Sequence, residues 1–253
     1  MKNELNHVEK SKGNKKKVKS FKVVYFFLFI IGIYFFLHSP IFNIQNVEVI
    51  GNKNLTKQQV IKLSQVNQGD NLFKIEKNDI IKNISIHPLI ESVEISRDLP
   101  STLKINVLER KPIGLVVCED GFIQVSEKGV FISINNDLGS YQLPVISGVS
   151  MDYLPGPGQI IKNEGLHTAL EILTNIESDL LINIAEINVA DPRYILAYTT
   201  QGIEIRLGSK KEVQSKLENL QDILEKIINL VIDEKAIEYI DLRFSGPPII
   251  KKK

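Results

Sequence analysis

The sequence predicts an α+β fold in which a single N-terminal transmembrane helix precedes a small β-α-α-β-β domain and a strand-rich α/β C-terminal domain. Two patterns carry this prediction. Residues 23–37 form a run of 15 residues without a charged or amide side chain. Later apolar residues recur either at every second position or at helical spacing, and turn residues separate the segments. The chain therefore consists of a membrane anchor followed by two mixed domains.

The apolar run begins directly after a basic tail. Residues 1–22 contain eight lysines and two glutamates, and they hold too few apolar side chains to fold by themselves. Fifteen apolar residues are fewer than the roughly 20 that cross a bilayer core, but Phe21, Ile41 and Phe42 lengthen the stretch. We therefore assign 1–22 to a cytoplasmic basic tail and 23–42 to a transmembrane anchor.

The charge of the tail sets the expected topology. Lysine-rich segments beside a membrane span stay in the cytoplasm, so residues from 43 onward are predicted to lie outside the plasma membrane. Two alternatives fit this run less well. A buried helix of a soluble core would show a polar side, and this run has none. A cleaved signal peptide would be followed by small residues at the cleavage site, which residues 38–45 do not offer.

The first extracytoplasmic domain is predicted at 43–111. Residues 43–51 alternate as a strand and end in a turn, and Thr56 is placed to cap a helix that ends at Gln65. A second helix and two strands complete the order β-α-α-β-β, with predicted boundaries 77–86, 90–97 and 102–109. Elements in this order suit a two-layer domain with both helices on one face of the sheet.

The second domain is predicted at 112–246, with a C-terminal tail at 247–253. Helical spacing predicts helices at 163–178 and from Ser209 to about Leu230, and residues 143–146 form a short extended piece. The remaining apolar segments predict strands, at 113–118, 122–125, 130–134, 184–189, 194–199, 203–207 and 237–244.

Residues that could carry chemistry are too scattered to form an active site. Cys118 is the only cysteine, which excludes an internal disulfide and a cysteine-based metal site. His87 precedes a turn proline, and His167 has no second metal ligand one helical turn away. The basic charge lies on the tail, which is unlike a nucleic-acid footprint. We predict no catalytic residue, cofactor, metal, small-molecule substrate or nucleic-acid partner.

Several motifs occur in an order that is specific to one family. They are the first strand with Val47-x-Val49-x-Gly51-Asn52, the loop 69–73, the stretch 88–97, Leu99-Pro100 and the closing 109–112. On these motifs the first domain resembles a POTRA domain of the FtsQ/DivIB type. The C-terminal pattern 239–244 is similar to the closing strand of that family. The resemblance covers about residues 20–250.

The resemblance implies a non-enzymatic division scaffold. It implies binding of FtsL-like and FtsB/DivIC-like divisome subunits, placement of the complex at the division septum and regulation of septal cell-wall synthesis. It also implies docking of the FtsB or DivIC subunit at the edge of the closing strand, which makes Tyr239, Asp241, Arg243 and Phe244 the candidate partner-binding residues. Two other functions stay open, namely an anchored cell-wall enzyme and a POTRA-type envelope chaperone.

The docking prediction depends on where the closing strand lies in its sheet. At a sheet edge, the unpaired N–H and C=O groups of the strand form a template for strand addition by another protein. In the alternative, the strand is interior and already paired on both sides. Independently of this, Asp241 and Arg243 could form a surface or cross-strand ion pair of little energetic weight and have no binding role. The sequence does not decide between these two arrangements.

Overall fold

The structure is a computed structural model of the 253-residue chain, and it describes residues 15–136, 142–151, 153–210, 216–228, 237–244 and 246–253. Helix α1 (Lys15–Leu37) contains the apolar run, and the side chains at positions 21–36 are exposed. A 3-10 turn at Pro40–Phe42, capped by the side chain of Ser39, follows the helix. The predicted apolar helix is therefore present, and its role as an anchor stays a prediction.

In the described part of the chain, no helix combines the length and the hydropathy that a membrane crossing requires.

The first domain has the predicted β-α-α-β-β order. Its strands form a three-stranded sheet with the order β1-β3-β2, in which β1 runs parallel to β3 and β2 antiparallel to it. Thr56 caps α2 as predicted, and Gln59 completes a reciprocal capping box with it. The elements are β1 (Asn46–Ile50), α2 (Lys57–Ser64), α3 (Lys77–Ser85), β2 (Ile90–Asp98) and β3 (Thr102–Glu109).

A compact apolar core holds this domain together. Both helices contribute to it through Val60, Ile80 and Ile84, and the sheet contributes Leu103 and Ile105. All five side chains are buried, and burial of aliphatic surface is the dominant favourable term in folding. The strict alternation of β3 therefore fixes which face of the strand meets the helices.

The second domain is built on a nine-stranded mixed sheet with the order β12-β11-β10-β9-β8-β7-β4-β5-β6. Its helices and strands share one large core. The elements are β4 (Pro112–Cys118), β5 (Gly121–Ser126), β6 (Phe131–Asn135), β7 (Val145–Ser147), α4 (Glu164–Thr174), α5 (Ser178–Leu181), β8 (Ile184–Asn188), β9 (Ile195–Thr199), β10 (Glu204–Gly208), α6 (Leu217–Ile228), β11 (Ile237–Asp241) and β12 (Ile249–Lys252).

Two predicted helices differ from the observed ones. The helix predicted at 163–178 is shorter in the structure, because α4 ends at Thr174 and its C-cap residue Asn175 donates through its side chain to the carbonyl of Glu171. Helix α5 begins only at the predicted end, Ser178. The helix predicted from Ser209 to Leu230 is described as α6, and the predicted end at Leu230 lies outside the described residues. Leu220 and Leu224 of its predicted apolar stripe are fully buried.

The closing strand differs from its prediction in length and in position. The strand predicted at 237–244 ends at Asp241, and it is interior, with β10 parallel on one side and β12 antiparallel on the other. The predicted tail 247–253 contains β12. Pro247 and Pro248 directly precede this strand, which begins at Ile249. The sheet edge therefore lies one strand further along the chain.

Candidate functional site

Strand β12 supplies the free edge at the C-terminal end of the large sheet. All four of its residues, Ile249–Lys252, are exposed, and the strand pairs with β11 on one side. Among the strands that the structure describes, none pairs with its other side. An edge of this kind presents unpaired N–H and C=O groups that another chain can use for strand addition.

A row of polar side chains crosses the sheet from β8 to this edge, and we call it the polar row. Directly opposed residues of neighbouring strands carry their side chains on the same face. The register pairs each member with the next, in the order Glu186, Tyr198, Glu204, Tyr239 and Lys251. The first four are half-buried and Lys251 is exposed. One face of the sheet beside the free edge is therefore lined by charged and aromatic side chains.

Tyr239 is the centre of this face. The guanidinium carbon of Arg206 lies 3.6 Å from the centroid of its ring, and Nζ of Lys251 lies 5.4 Å from it. Arg206 is held in place because its Nε donates to Oε1 of Glu204 at 2.6 Å. Cations over an aromatic face are attracted by the ring quadrupole. Tyr239 is thus fixed next to the edge strand by charges from both neighbouring strands.

The row also perturbs two titrating groups. Burial, followed by the negative charges of Glu204 and Glu186, raises the pKa of Tyr198 above its usual value. The hydrogen bond to Glu204 likewise raises the pKa of Arg206. Both side chains therefore keep their ordinary protonation states at neutral pH. Together with Arg206, the row presents two acidic and two basic side chains beside its tyrosines. Such a surface suits polar recognition.

Asp241 and Arg243 form a tight local pair at the end of β11. Nε of Arg243 donates to Oδ1 of Asp241 at 3.0 Å, Nη2 donates to Oδ2 at 2.6 Å, and the backbone N–H of Arg243 donates to Oδ1 at 3.0 Å. Asp241 is only 5% exposed. The guanidinium also lies 5.6 Å from the centroid of the exposed Phe244 ring. Asp241 and Arg243 therefore form an ion pair, but it is a local contact with a buried carboxylate and not a surface or cross-strand pair.

The four predicted site residues divide into two groups. Tyr239 belongs to the polar row. Asp241, Arg243 and Phe244 instead form a local cluster at the end of β11 and directly after it. Sequence reasoning missed Arg206 and Lys251, whose contacts with Tyr239 depend on the pairing of three strands. The sequence does contain a signal for Arg206. Glu204 and Arg206 are charged residues two positions apart in a predicted strand, which places both side chains on one face of the sheet.

Replacing Asp241 with asparagine is expected to lower the free energy of unfolding by about 2 kcal/mol at neutral pH, because Arg243 loses its charged acceptor. The hydrogen bonds from Arg243 hold the pKa of Asp241 below its usual value, against the effect of burial. The stabilisation is therefore present above the pKa of the unfolded chain and is lost as pH falls through the folded pKa. Urea unfolding at neutral and acidic pH measures it.

The Asp191–Arg193 pair offers a matched control for this substitution. It has the same two-residue spacing and the same two-point contact, with 3.0 Å from Nε to Oδ1 and 2.9 Å from Nη2 to Oδ2, but it lies in solvent. Asp191→Asn should leave stability essentially unchanged. Equal losses for Asp191→Asn and Asp241→Asn would show that burial of the pair contributes nothing.

Comparison with known proteins matches both domains to family models. A model described as "POTRA domain, FtsQ-type" matches residues 42–110, and one described as "Cell division protein FtsQ/DivIB, C-terminal" matches residues 116–243. The fold is thus that of a two-domain protein in which an FtsQ-type POTRA domain precedes a strand-rich domain. Because the second model alone covers just over half of the sequence, the chain belongs to the FtsQ/DivIB family of cell division proteins.

Two curated relatives and one solved structure are similar to this chain. The protein named "Cell division protein DivIB" of Clostridium botulinum (strain Loch Maree / Type A3) is 28% identical over 249 residues, which cover 95% of this chain and 93% of that one. The protein of the same name from Bacillus subtilis (strain 168) is 33% identical over 121 residues, which cover 47% and 45%. A solved extracytoplasmic domain of DivIB from Geobacillus stearothermophilus aligns with a TM-score of 0.35 at 15% identity, covering 49% of this chain and 98% of that one.

Proposed function

We propose that this chain is a membrane-anchored scaffold of the bacterial division machinery. In this role it binds FtsL-like and FtsB/DivIC-like subunits and helps to place and regulate septal cell-wall synthesis without catalysing it. Membership of the FtsQ/DivIB family supports the general role. The free edge of β12 carries the proposal of partner binding, because it offers a second chain a complete set of backbone hydrogen-bonding groups.

The anchor is proposed to be α1. Its side chains from position 21 to position 36 are exposed and predominantly apolar, and lysines occupy several positions just before them. In this topology the N-terminus is cytoplasmic, the helix crosses the plasma membrane once, and both domains lie outside. Tethering confines the domains to a thin layer at the membrane, which raises their effective concentration for partners anchored in the same membrane.

The surroundings of β12 supply the specificity that backbone pairing lacks. Strand addition gives affinity through the main chain, and side-chain contacts on the adjoining face select the partner. Here that face holds Tyr239 with Arg206 and Lys251, and aromatic and arginine side chains dominate the energetics of many interfaces. Lys251 is the cation on the edge strand itself, where its Nζ lies 3.1 Å from Oε2 of Glu238, and a partner strand with an acidic side chain beside Lys251 matches this charge. The FtsB/DivIC-like subunit is the proposed occupant.

Amide hydrogen exchange of the full chain with its purified DivIC-like subunit tests this proposal. We expect exchange to slow in a peptide that covers β12, because the outer amides of this strand become hydrogen-bonded. Strand β6, at the opposite edge of the same sheet, is the internal control and should keep its rate. Complex formation with unchanged exchange in β12 would contradict docking at this edge.

Two tyrosines of the polar row provide a matched pair of variants for the same experiment. Tyr239→Ala should weaken binding of the subunit by about 10-fold or more, as expected for an aromatic side chain at the centre of an interface. Tyr198→Ala, two strands further from the edge, should leave the affinity unchanged. Equal losses for both variants would place the partner on the sheet face rather than at the edge.

A further inference from the structure

The C-terminal end of helix α1 packs on the first domain and is hydrogen-bonded to it. The rings of Phe36 and Phe42 pack edge-to-face with centroids 5.2 Å apart, and Phe42 packs in the same way on Phe73 at 5.0 Å. Nδ2 of Asn71 donates to the carbonyl of Leu37, 3.2 Å away. The last carbonyls of a helix lack partners within the helix, so this contact fixes its end. The loop that contains Asn71 and Phe73 therefore lies against the C-terminal end of α1.

The tip of the β2–β3 hairpin lies at the same end of the domain. The N–H groups of Gln45 and Asn46, where the chain enters β1, donate to the carbonyl of Ser101 at 2.9 and 3.3 Å. The register also pairs Asn46 with Thr102, so that β1 and β3 begin side by side. The hairpin tip thus stands next to the point where the chain arrives from α1.

Apolar surface is exposed at this tip. Leu99, one residue before Pro100, is 57% exposed although both neighbouring strands place leucine, isoleucine or valine side chains in a core. Ile41, in the turn that follows α1, is also exposed. A leucine is an uncommon residue in a turn, where Gly, Pro, Asn, Asp and Ser dominate. Exposed apolar side chains beside the end of an apolar helix fit the interfacial layer of a bilayer.

A basic side chain with unused donors accompanies the apolar tip. Arg97 donates through Nη2 to the carbonyl of Ile75 at 3.1 Å, and its guanidinium lies 5.6 Å from the centroid of Phe73. None of the ion pairs among the described residues includes Arg97. Its Nε is buried, so only the terminal nitrogens of the guanidinium are available to a ligand outside the domain. Arginine suits phosphate because its planar fork offers several N–H donors. The remaining donors of Arg97 match a phosphate at this position.

We propose that the β2–β3 hairpin tip is a second membrane contact, in which Leu99 and Pro100 enter the interface of an anionic bilayer and Arg97 donates to a lipid phosphate. This inference rests on the proposed anchoring by α1. The first domain is then held at the bilayer by both α1 and the hairpin tip. Two points of attachment give it a defined orientation on the bilayer surface.

Tryptophan fluorescence can test this contact, because the natural chain contains no tryptophan. Leu99→Trp is prepared in the full chain and inserted into nanodiscs of phosphatidylcholine and phosphatidylglycerol with brominated acyl chains. Leu108→Trp is the matched control, since Leu108 is 54% exposed at the opposite end of β3. We expect the emission of Leu99→Trp to shift to the blue and to be quenched several-fold more strongly than that of Leu108→Trp.

A third reporter separates this inference from the proposed anchor. Phe26→Trp, within α1, is quenched by the same lipids if the helix lies in the bilayer. Quenching of Phe26→Trp, with equal emission from Leu99→Trp and Leu108→Trp, overturns the hairpin contact and leaves the anchor intact. No quenching of Phe26→Trp overturns the anchor, and the hairpin proposal fails with it.

The role of Arg97 has its own readout. In the Leu99→Trp chain, quenching is expected to increase with the fraction of phosphatidylglycerol, because the anionic surface attracts a basic side chain. Adding Arg97→Gln should remove this increase, and Arg97→Lys should retain most of it. An identical dependence on phosphatidylglycerol in the Arg97→Gln variant would exclude Arg97 as the phosphate ligand.

Discussion

Replacing Glu109 with glutamine should lower the free energy of unfolding of the first domain by about 3 kcal/mol. The carboxylate is buried at the end of β3, and it accepts hydrogen bonds on both oxygens. Oε1 accepts from the backbone N–H groups of Lys53 and Leu55 at 2.8 and 3.0 Å, and Oε2 accepts from the backbone and the side chain of Asn54 at 2.8 and 2.9 Å. A glutamine NH₂ would face two of these donors.

The pH dependence follows from the same contacts. Burial by itself would raise the pKa of Glu109, but the hydrogen bonds from Asn54, Leu55 and Lys53 outweigh it and leave the pKa below its usual value. The contribution of the carboxylate is therefore complete above the unfolded pKa of about 4.3, and it is lost as pH falls through the folded pKa. Urea unfolding of the natural chain and of Glu109→Gln should converge at low pH.

Glu94→Gln serves as the control for this measurement. It makes the same chemical change at an exposed position of β2, and its effect should stay within about 0.5 kcal/mol of zero. A loss for Glu109→Gln no larger than that for Glu94→Gln would mean that the carboxylate does not fix the loop between β1 and α2.

Gly51→Ala should destabilise the same domain by about 3 kcal/mol or more. Gly51 ends β1 with a φ of +86°, where any residue with a Cβ is strained. In addition, an added Cβ would overlap the carbonyl oxygen of Val107 in β3. Val107 belongs to the backbone of β3, which is paired with β2, so its carbonyl oxygen cannot rotate away. Thermal and urea unfolding of the natural and substituted chains measure the loss.

Gly69 separates the two causes of this effect. Its φ is +97°, but no heavy atom lies within 4 Å of the position that a Cβ would take. Gly69→Ala should therefore show only the conformational strain, about 1 kcal/mol. If Gly69→Ala and Gly51→Ala destabilise the chain equally, the close approach between the end of β1 and the carbonyl of Val107 has no energetic role.

Local patterns in the sequence were sufficient for most elements. The strand β3 and the cap at Thr56 were predicted because alternation and capping involve residues close in the chain. The hydrogen bonds of Glu109 were not predicted, since they join residues 54–56 positions apart. Strand β12 was missed because only two apolar residues separate Pro248 from a run of lysines, which is too little for a periodic signal.

The candidate site was predictable only in part, for the same reason. The pairing of Asp241 with Arg243 is local, and the sequence already placed these residues two positions apart. The environment of Tyr239 depends instead on the register of β10, β11 and β12, which brings Arg206 and Lys251 to one ring. Register is a property of the assembled sheet, so no window of the sequence contains it.

The attachment of α1 to the first domain has a mechanical consequence. The packed phenylalanine rings and the hydrogen bond from Asn71 restrict rotation of the first domain relative to α1. A change in the tilt of α1 therefore rotates the domain with the helix. The displacement of a residue grows with its distance from the end of α1. A few degrees of tilt at Leu37 therefore move the far end of the domain by ångströms. Under the proposed anchoring by α1, the contact between helix and domain would couple the shape of the surrounding bilayer to the position of the surfaces at the far end of the domain.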